Sequence, residues 1–213
     1  MTLEASMYNN IYGNYPFNGV MSSYHLVTVA NSPQVITLAE LKTHLNLFDE
    51  TEYDTYLTTL LETGQRLAEN YVGEHFDPTV VTAYYNTQGQ RFFIPNRYVE
   101  AVENLRYYDT DNVIQTVDRA NYFLDATSRV PAVVLSRNFG FPETSNEFQN
   151  PIWIEYLSFV PEPLQTEAIK QAVLMYCSAM FQDRESYLTT GSVPARLPVT
   201  SERLLDNLKY RWS

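Results

Sequence analysis

Thr37-Leu38-Ala39-Glu40-Leu41-Lys42-Thr43-His44-Leu45 opens the stretch that decides the fold. Thr37 with Glu40 three residues later is a capping box: hydroxyl and carboxylate satisfy free amides at a helix start. Leu38, Leu41 and Leu45 then fall on one face. Asp49, Glu50, Glu52 and Asp54 follow, where carboxylates suit the positive end of a second helix. Leu57, Leu60, Leu61, Gly64, Leu67, Ala68 and Tyr71 recur at i, i+3 and i+4, the stripe of an amphipathic helix. Glu62 and Arg66 are spaced to pair on its outer face, and Gly73 is placed as its C-terminal cap.

From Asp77-Pro78 the period changes. Val80–Asn86 and Arg91–Ile94 flank Thr87-Gln88-Gly89-Gln90 and read as a hairpin. Leu105–Tyr108 and Val113–Val117 flank Asp109-Thr110-Asp111-Asn112 and read as a second one. Tyr122–Leu124, Val130–Leu135 and Ile152–Tyr156 are further strands. Helix resumes after Pro161-Glu162-Pro163, with Leu164, Ala168, Ala172, Val173, Tyr176, Ala179 and Met180 on its inner side. A last helix starts near Thr200 or Ser201 and presents Leu204, Leu205, Leu208 and Trp212. The expected fold is α+β: a helical bundle body of two N-terminal and two C-terminal helices, with an inserted antiparallel β domain. The body takes 37–76 and 161–213, the insertion 77–160, and neither helical block has apolar surface enough to stand alone.

Residues 1–36 read as an extended arm, rich in Asn, Ser and Tyr, whose one charged side chain is Glu4. His25–Val29 has the pattern of a strand leading into the domain.

The chain has 213 residues, 45% of them hydrophobic, which supports a packed core. Its formal charge of −11 repels a phosphate backbone and argues against sequence-reading DNA binding. No run of about eighteen apolar residues predicts a membrane span, and the N-terminus does not read as a signal peptide. The single cysteine, Cys177, sits in an apolar helical run and has no intrachain partner, which suits a reducing compartment.

No catalytic constellation emerges. His25, His44 and His75 have no metal-ligand spacing. There is no phosphate loop, dinucleotide fingerprint or nucleophile elbow. The acidic run Asp49, Glu50, Glu52 and Asp54 is either a solvated helix start or an electronegative or cation-binding surface. Asp109–Asn112 resembles a calcium loop superficially, but Asp and Asn also make hairpin turns. No cofactor, metal or catalytic residue is expected.

The 17 tyrosines and 11 phenylalanines, beside three histidines and one cysteine, suit protein contacts. Arginine outnumbers lysine 11 to 3, a bias also seen at interfaces. Candidate interface residues are Tyr8, Tyr12, Tyr15 and Tyr24 in the arm, with Tyr210, Arg211 and Trp212 at the C-terminus.

Taken in order, Ile36–Leu45, the acidic spacer, Ala68-Glu69-Asn70-Tyr71-Val72-Gly73, Val102–Asn112, Tyr122–Asp125, Val160–Leu164, Ala168–Ala172 and Leu204–Trp212 resemble tailed-phage head–tail connector proteins. These are also called adaptor or head-completion proteins. The resemblance covers about 36–213, and the arm lies outside it. It implies a structural virion protein rather than an enzyme, located at the head–tail junction and assembled in the host cytoplasm. Its copies would form a ring, a dodecamer matching the portal, beneath the portal protein. That ring would extend the DNA channel without gripping DNA and would dock the tail or a further head-completion protein. Alternatives are a tail-completion or tail-tube protein, and a small metal-dependent hydrolase using Asp or Glu.

Overall fold

The computed structural model describes residues 19–30, 35–128, 130–161, 167–182 and 199–209. They form an α+β protein with four α-helices and two sheets. The chain divides into two compact units. One holds Pro78–Phe159 with the segment before Ser32; the other holds Ser32–Asp77 and Val160–Arg211.

The strand unit begins with β1 (Val20–Met21) and β2 (Tyr24–Ala30). The strand expected at His25–Val29 is therefore present, and the stretch read as an arm to residue 36 contains two strands. β3 (Thr79–Tyr85), β4 (Arg91–Phe93), β5 (Val99–Tyr108), β6 (Ile114–Thr116), β7 (Tyr122–Asp125), β8 (Ala132–Leu135) and β9 (Ile152–Ser158) follow. A five-stranded antiparallel sheet runs β2-β3-β9-β5-β6; a second sheet runs β1-β4-β8-β7, with β1 parallel to β4.

One of the two expected hairpins is absent. β3 bonds to β2 and β9, β4 to β1 and β8, and the segment between them passes from one sheet to the other. Side chains join them instead. The Tyr85 ring meets Phe92 edge-on at 5.1 Å, and its hydroxyl donates to the Phe93 carbonyl at 3.0 Å. Both rings are fully buried in a core shared by the two sheets, with Val81, Ile154 and Tyr156 on one side and Val133, Leu135 and Tyr122 on the other. Alternation along each strand directs these residues inward. The second hairpin forms as read: β5 pairs with β6 around Asp109–Asn112, and Asn112 takes the left-handed conformation (φ 63°) that Asn tolerates.

In the helical unit, Thr37 and Glu40 form the full capping box on α1 (Leu38–His44). α2 spans Asp54–Val72, so its start lies beyond Asp49, Glu50 and Glu52. Turn bonds hold that linker instead: Leu47 N donates to Lys42 O at 2.9 Å and Glu50 N to Leu47 O at 2.9 Å. Gly73 closes α2 at φ 83°, as a left-handed cap should. The predicted stripe is largely inward: Leu57, Leu60, Leu61, Gly64 and Ala68 are buried, while Leu67 and Tyr71 are half-buried.

α3 (Glu167–Gln182) buries Ala172, Val173 and Tyr176 as expected, together with Ile169, Leu174 and Cys177. Leu164 lies outside the described residues. α2 packs on α3 at close range: Cys177 Sγ lies 3.4 Å from Leu60 O, and burial pushes the thiol up to about 12. α4 (Val199–Leu205) seats Ser201 and Leu205 inward and packs on α3; its first residue lies beside Thr200, near where a helix start is expected. Tyr71 Oη donates to Asp206 at 2.8 Å, joining the end of α2 to the turn after α4. Burying each Leu or Val of this kind contributes roughly 1.5–3 kcal/mol.

Candidate assembly surface

Tyr8, Tyr12, Tyr15, Tyr210, Arg211 and Trp212 lie outside the described residues. Tyr24 begins β2, its backbone registered with Tyr84.

The acidic run is brought together in one place, the linker from α1 into α2. Asp49, Glu50 and Glu52 are exposed beside Phe48, itself 63% exposed. Asp54 differs. It is the first residue of α2 and receives Lys42 Nζ at 2.8 Å, which ties α1 to α2. Arg66 also departs from its expected partner. It bonds Glu69 at 2.6 Å rather than Glu62, because Glu69 points into the buried turn after the helix.

Asp109 is occupied by its own turn. Oδ1 accepts from Asp111 N (3.0 Å) and Val113 N (2.9 Å), and Oδ2 from Gln115 Nε2 (2.7 Å). These bonds, Gln115 first, hold its carboxyl below the usual range. Among the described residues no group of three His, Cys, Asp or Glu is arranged to hold a metal. Nor is any described helix long and apolar enough to cross a membrane.

The most developed surface lies at the β5–β6 hairpin. Ile114, first residue of the edge strand of the five-stranded sheet, is 52% exposed, and Val113 just before it is 54% exposed. Beside them, Tyr108 stacks on Phe148 with ring centroids 4.1 Å apart and planes 18° apart, and tilts against Trp153 at 5.1 Å. Ser145 N donates to Tyr108 O at 2.9 Å and anchors the loop that carries Phe148. Arg106 stands opposite Trp153 across β5 and β9, paired with Glu155 at 3.2 Å. The result is an aromatic ledge with a polar border, the composition of a protein contact. In the sequence Val113 and Ile114 read as ordinary strand residues; that β6 has a neighbour on one side only is not encoded in a local pattern.

A surface of this composition suits contact with another protein. The family model of the phage gp6-like head-tail connector protein matches residues 35–125. The resemblance drawn from the sequence is thereby borne out over residues 35–125. No curated protein matches it. Among the solved structures that share its fold are three from gene transfer agent particles. One is from the neck of an empty gene transfer agent (GTA) particle computed with C6 symmetry, with a TM-score of 0.63, 15% identity and coverage of 89% of this chain and 97% of that one. A second, from the virion of the native gene transfer agent particle, has a TM-score of 0.64, 15% identity and coverage of 89% and 96%. A third, from the neck of the native particle computed with C12 symmetry, has a TM-score of 0.62, 15% identity and coverage of 89% and 97%. The family and these neighbours are structural parts of virions and particle necks, not enzymes.

Proposed function

We propose that copies of this chain close into a ring, a dodecamer, beneath the portal vertex of a phage head, extending the DNA channel and docking the tail or the next connector. The observation that carries this reading is the connector-family match over 35–125, on a fold found in particle necks solved with sixfold and twelvefold symmetry. The mechanism is a head-to-tail contact between identical subunits that closes on itself. In it the four helices act as a bundle-like body (37–76 and 161–213), and the β insertion (77–160) as a platform for contacts. The ledge of Tyr108, Val113, Ile114 and Phe148 is the described surface best suited to a neighbour. Tyr8, Tyr12, Tyr15 and Tyr24 in the arm, and Tyr210, Arg211 and Trp212 at the C-terminus, are further contact residues. Asp49, Glu50 and Glu52 with the net charge of −11 suit a channel wall that DNA slides past.

Cross-linking in particles tests this against the tail-completion reading. A connector cross-links directly to portal protein. A chain that cross-links to tail proteins and never to portal is a tail component.

A further inference from the structure

α2 ends on Gly73, and the turn from Gly73 to Asp77 is built around buried carboxylates. Glu69 and Glu74 are 3% exposed and Asp77 is 2% exposed. Carboxylates this deep need donors or a proton. Glu69 accepts from three donors. Its Oε1 accepts from Phe76 N at 3.0 Å and Gln65 Nε2 at 3.2 Å, and its Oε2 from Arg66 at 2.6 Å. Asp77 Oδ1 shares two of the same groups, lying 3.3 Å from Gln65 Nε2 and 3.8 Å from Arg66 Nη1. One guanidinium therefore lies within reach of two carboxylates, and two like charges placed so close favour a proton on one of them.

The charged groups acting on Asp77 are Glu69 and Arg66, both on α2. Glu74 and His75 precede it in the turn, where His75 O accepts from Val160 N at 2.7 Å. From the segment before α1 comes an uncharged group, the Val35 N–H, bonded to Gln65 Oε1 at 3.0 Å. Burial first, then a hydrogen bond to Glu69 and that residue's charge, outweigh Arg66 and push the Asp77 carboxyl up to about 7.

We propose that Asp77 holds a proton towards Glu69 and that the pair forms a pH-dependent latch on the turn that carries the chain from α2 into β3. This does not depend on the ring reading. Below about pH 7 the proton bridges the pair and the turn is closed. Above it the charged Asp77 carboxylate repels Glu69, and the Phe76 N–H loses its hold on Glu69. The sign follows from proton counting. The unfolded chain gives up this proton near the ordinary carboxylate value of about 4. Between about 4 and 7 the folded state binds more protons, so stability falls as pH rises and levels off above the folded value. One proton corresponds to up to about tenfold in the folding constant per pH unit.

The test uses the full chain and Asp77→Asn. Urea unfolding is followed from roughly pH 5 to 8, across the window set by those carboxylate values, with amide exchange at Phe76 corrected for its intrinsic rate. In the wild type the folding constant drops several-fold per unit up to about 7, and Phe76 protection is lost above it. In Asp77→Asn, whose amide donates to Glu69 at every pH, that part of the slope disappears and Phe76 stays protected. Equal slopes in the two proteins, or Phe76 protection indifferent to pH, would overturn the latch. Should Asp77→Asn fail to fold, Glu69→Gln serves. It leaves Asp77 one acidic neighbour fewer beside Arg66 and must reduce the slope; retention of the wild-type slope overturns the proposal.

Discussion

Gly64→Ala tests the packing of α2 on α3 most sharply, because two effects oppose each other at one atom. Glycine inside a helix costs roughly 0.5–1 kcal/mol relative to alanine, so propensity alone predicts a gain of that size. The packing predicts a loss. A Cβ built on Gly64 would stand 2.7 Å from Cys177 Sγ and 3.5 Å from the Val173 carbonyl. Carbon contacts are comfortable at about 3.5–4.0 Å, so the sulfur must retreat by most of an ångström. It is one bond from its own Cβ and already near Leu60 O, so the helices must part or the rotamer must change. Overpacking of this kind costs about 1–3 kcal/mol. The net expectation is destabilisation of about 1 kcal/mol, from the same opposed terms. Urea unfolding with an unchanged m-value measures it, at matched protein concentration because self-association adds apparent stability. Cys177→Ala removes the obstructing sulfur, so the double variant should recover part of the loss, with a coupling of about 1 kcal/mol. A single Gly64→Ala variant that gains stability by its propensity alone would refute the close approach.

Thr37→Ala should cost about 1 kcal/mol, read from the urea midpoint, since the Thr37 hydroxyl accepts the Glu40 amide. Val113→Asp with Ile114→Asp should leave the unfolding midpoint within about 0.5 kcal/mol, because both side chains are exposed; sedimentation should nevertheless show weakened self-association. Removing residues 1–30 strips β1 from β4 and β2 from β3 and should lower the unfolding midpoint. An unchanged midpoint would deny these strands a structural role.

The parts of the fold that were legible are those fixed by neighbours in sequence. Thr37 and Glu40 announce their helix because both partners of the capping box lie within one turn. Gly73 announces its end because only a left-handed residue fits there. Asp109–Asn112 reads as a turn because its carboxylate bonds amides two and four residues ahead. What failed depends on distant partners. Nothing between Asn86 and Gln90 shows that β3 and β4 join different sheets; that is decided by β9, about sixty residues on, and by β8. Val20–Met21 is too short to carry a period and exists as a strand through its pairing with β4. Arg66 turns to Glu69 rather than Glu62 because the chain after Gly73 folds back over the helix end and draws Glu69 inward. The aromatic ledge escaped notice for a related reason: Phe148 meets Tyr108 across forty residues.

The account rests on the chain closing into a ring at a particle neck. Electron microscopy of the purified full-length chain, alone and mixed with portal assemblies, measures that most directly. The expected result is a closed ring, stacked coaxially on the portal and matching its twelvefold order. A chain that stays monomeric both alone and with portal, or rings that form but never bind it, would contradict the account.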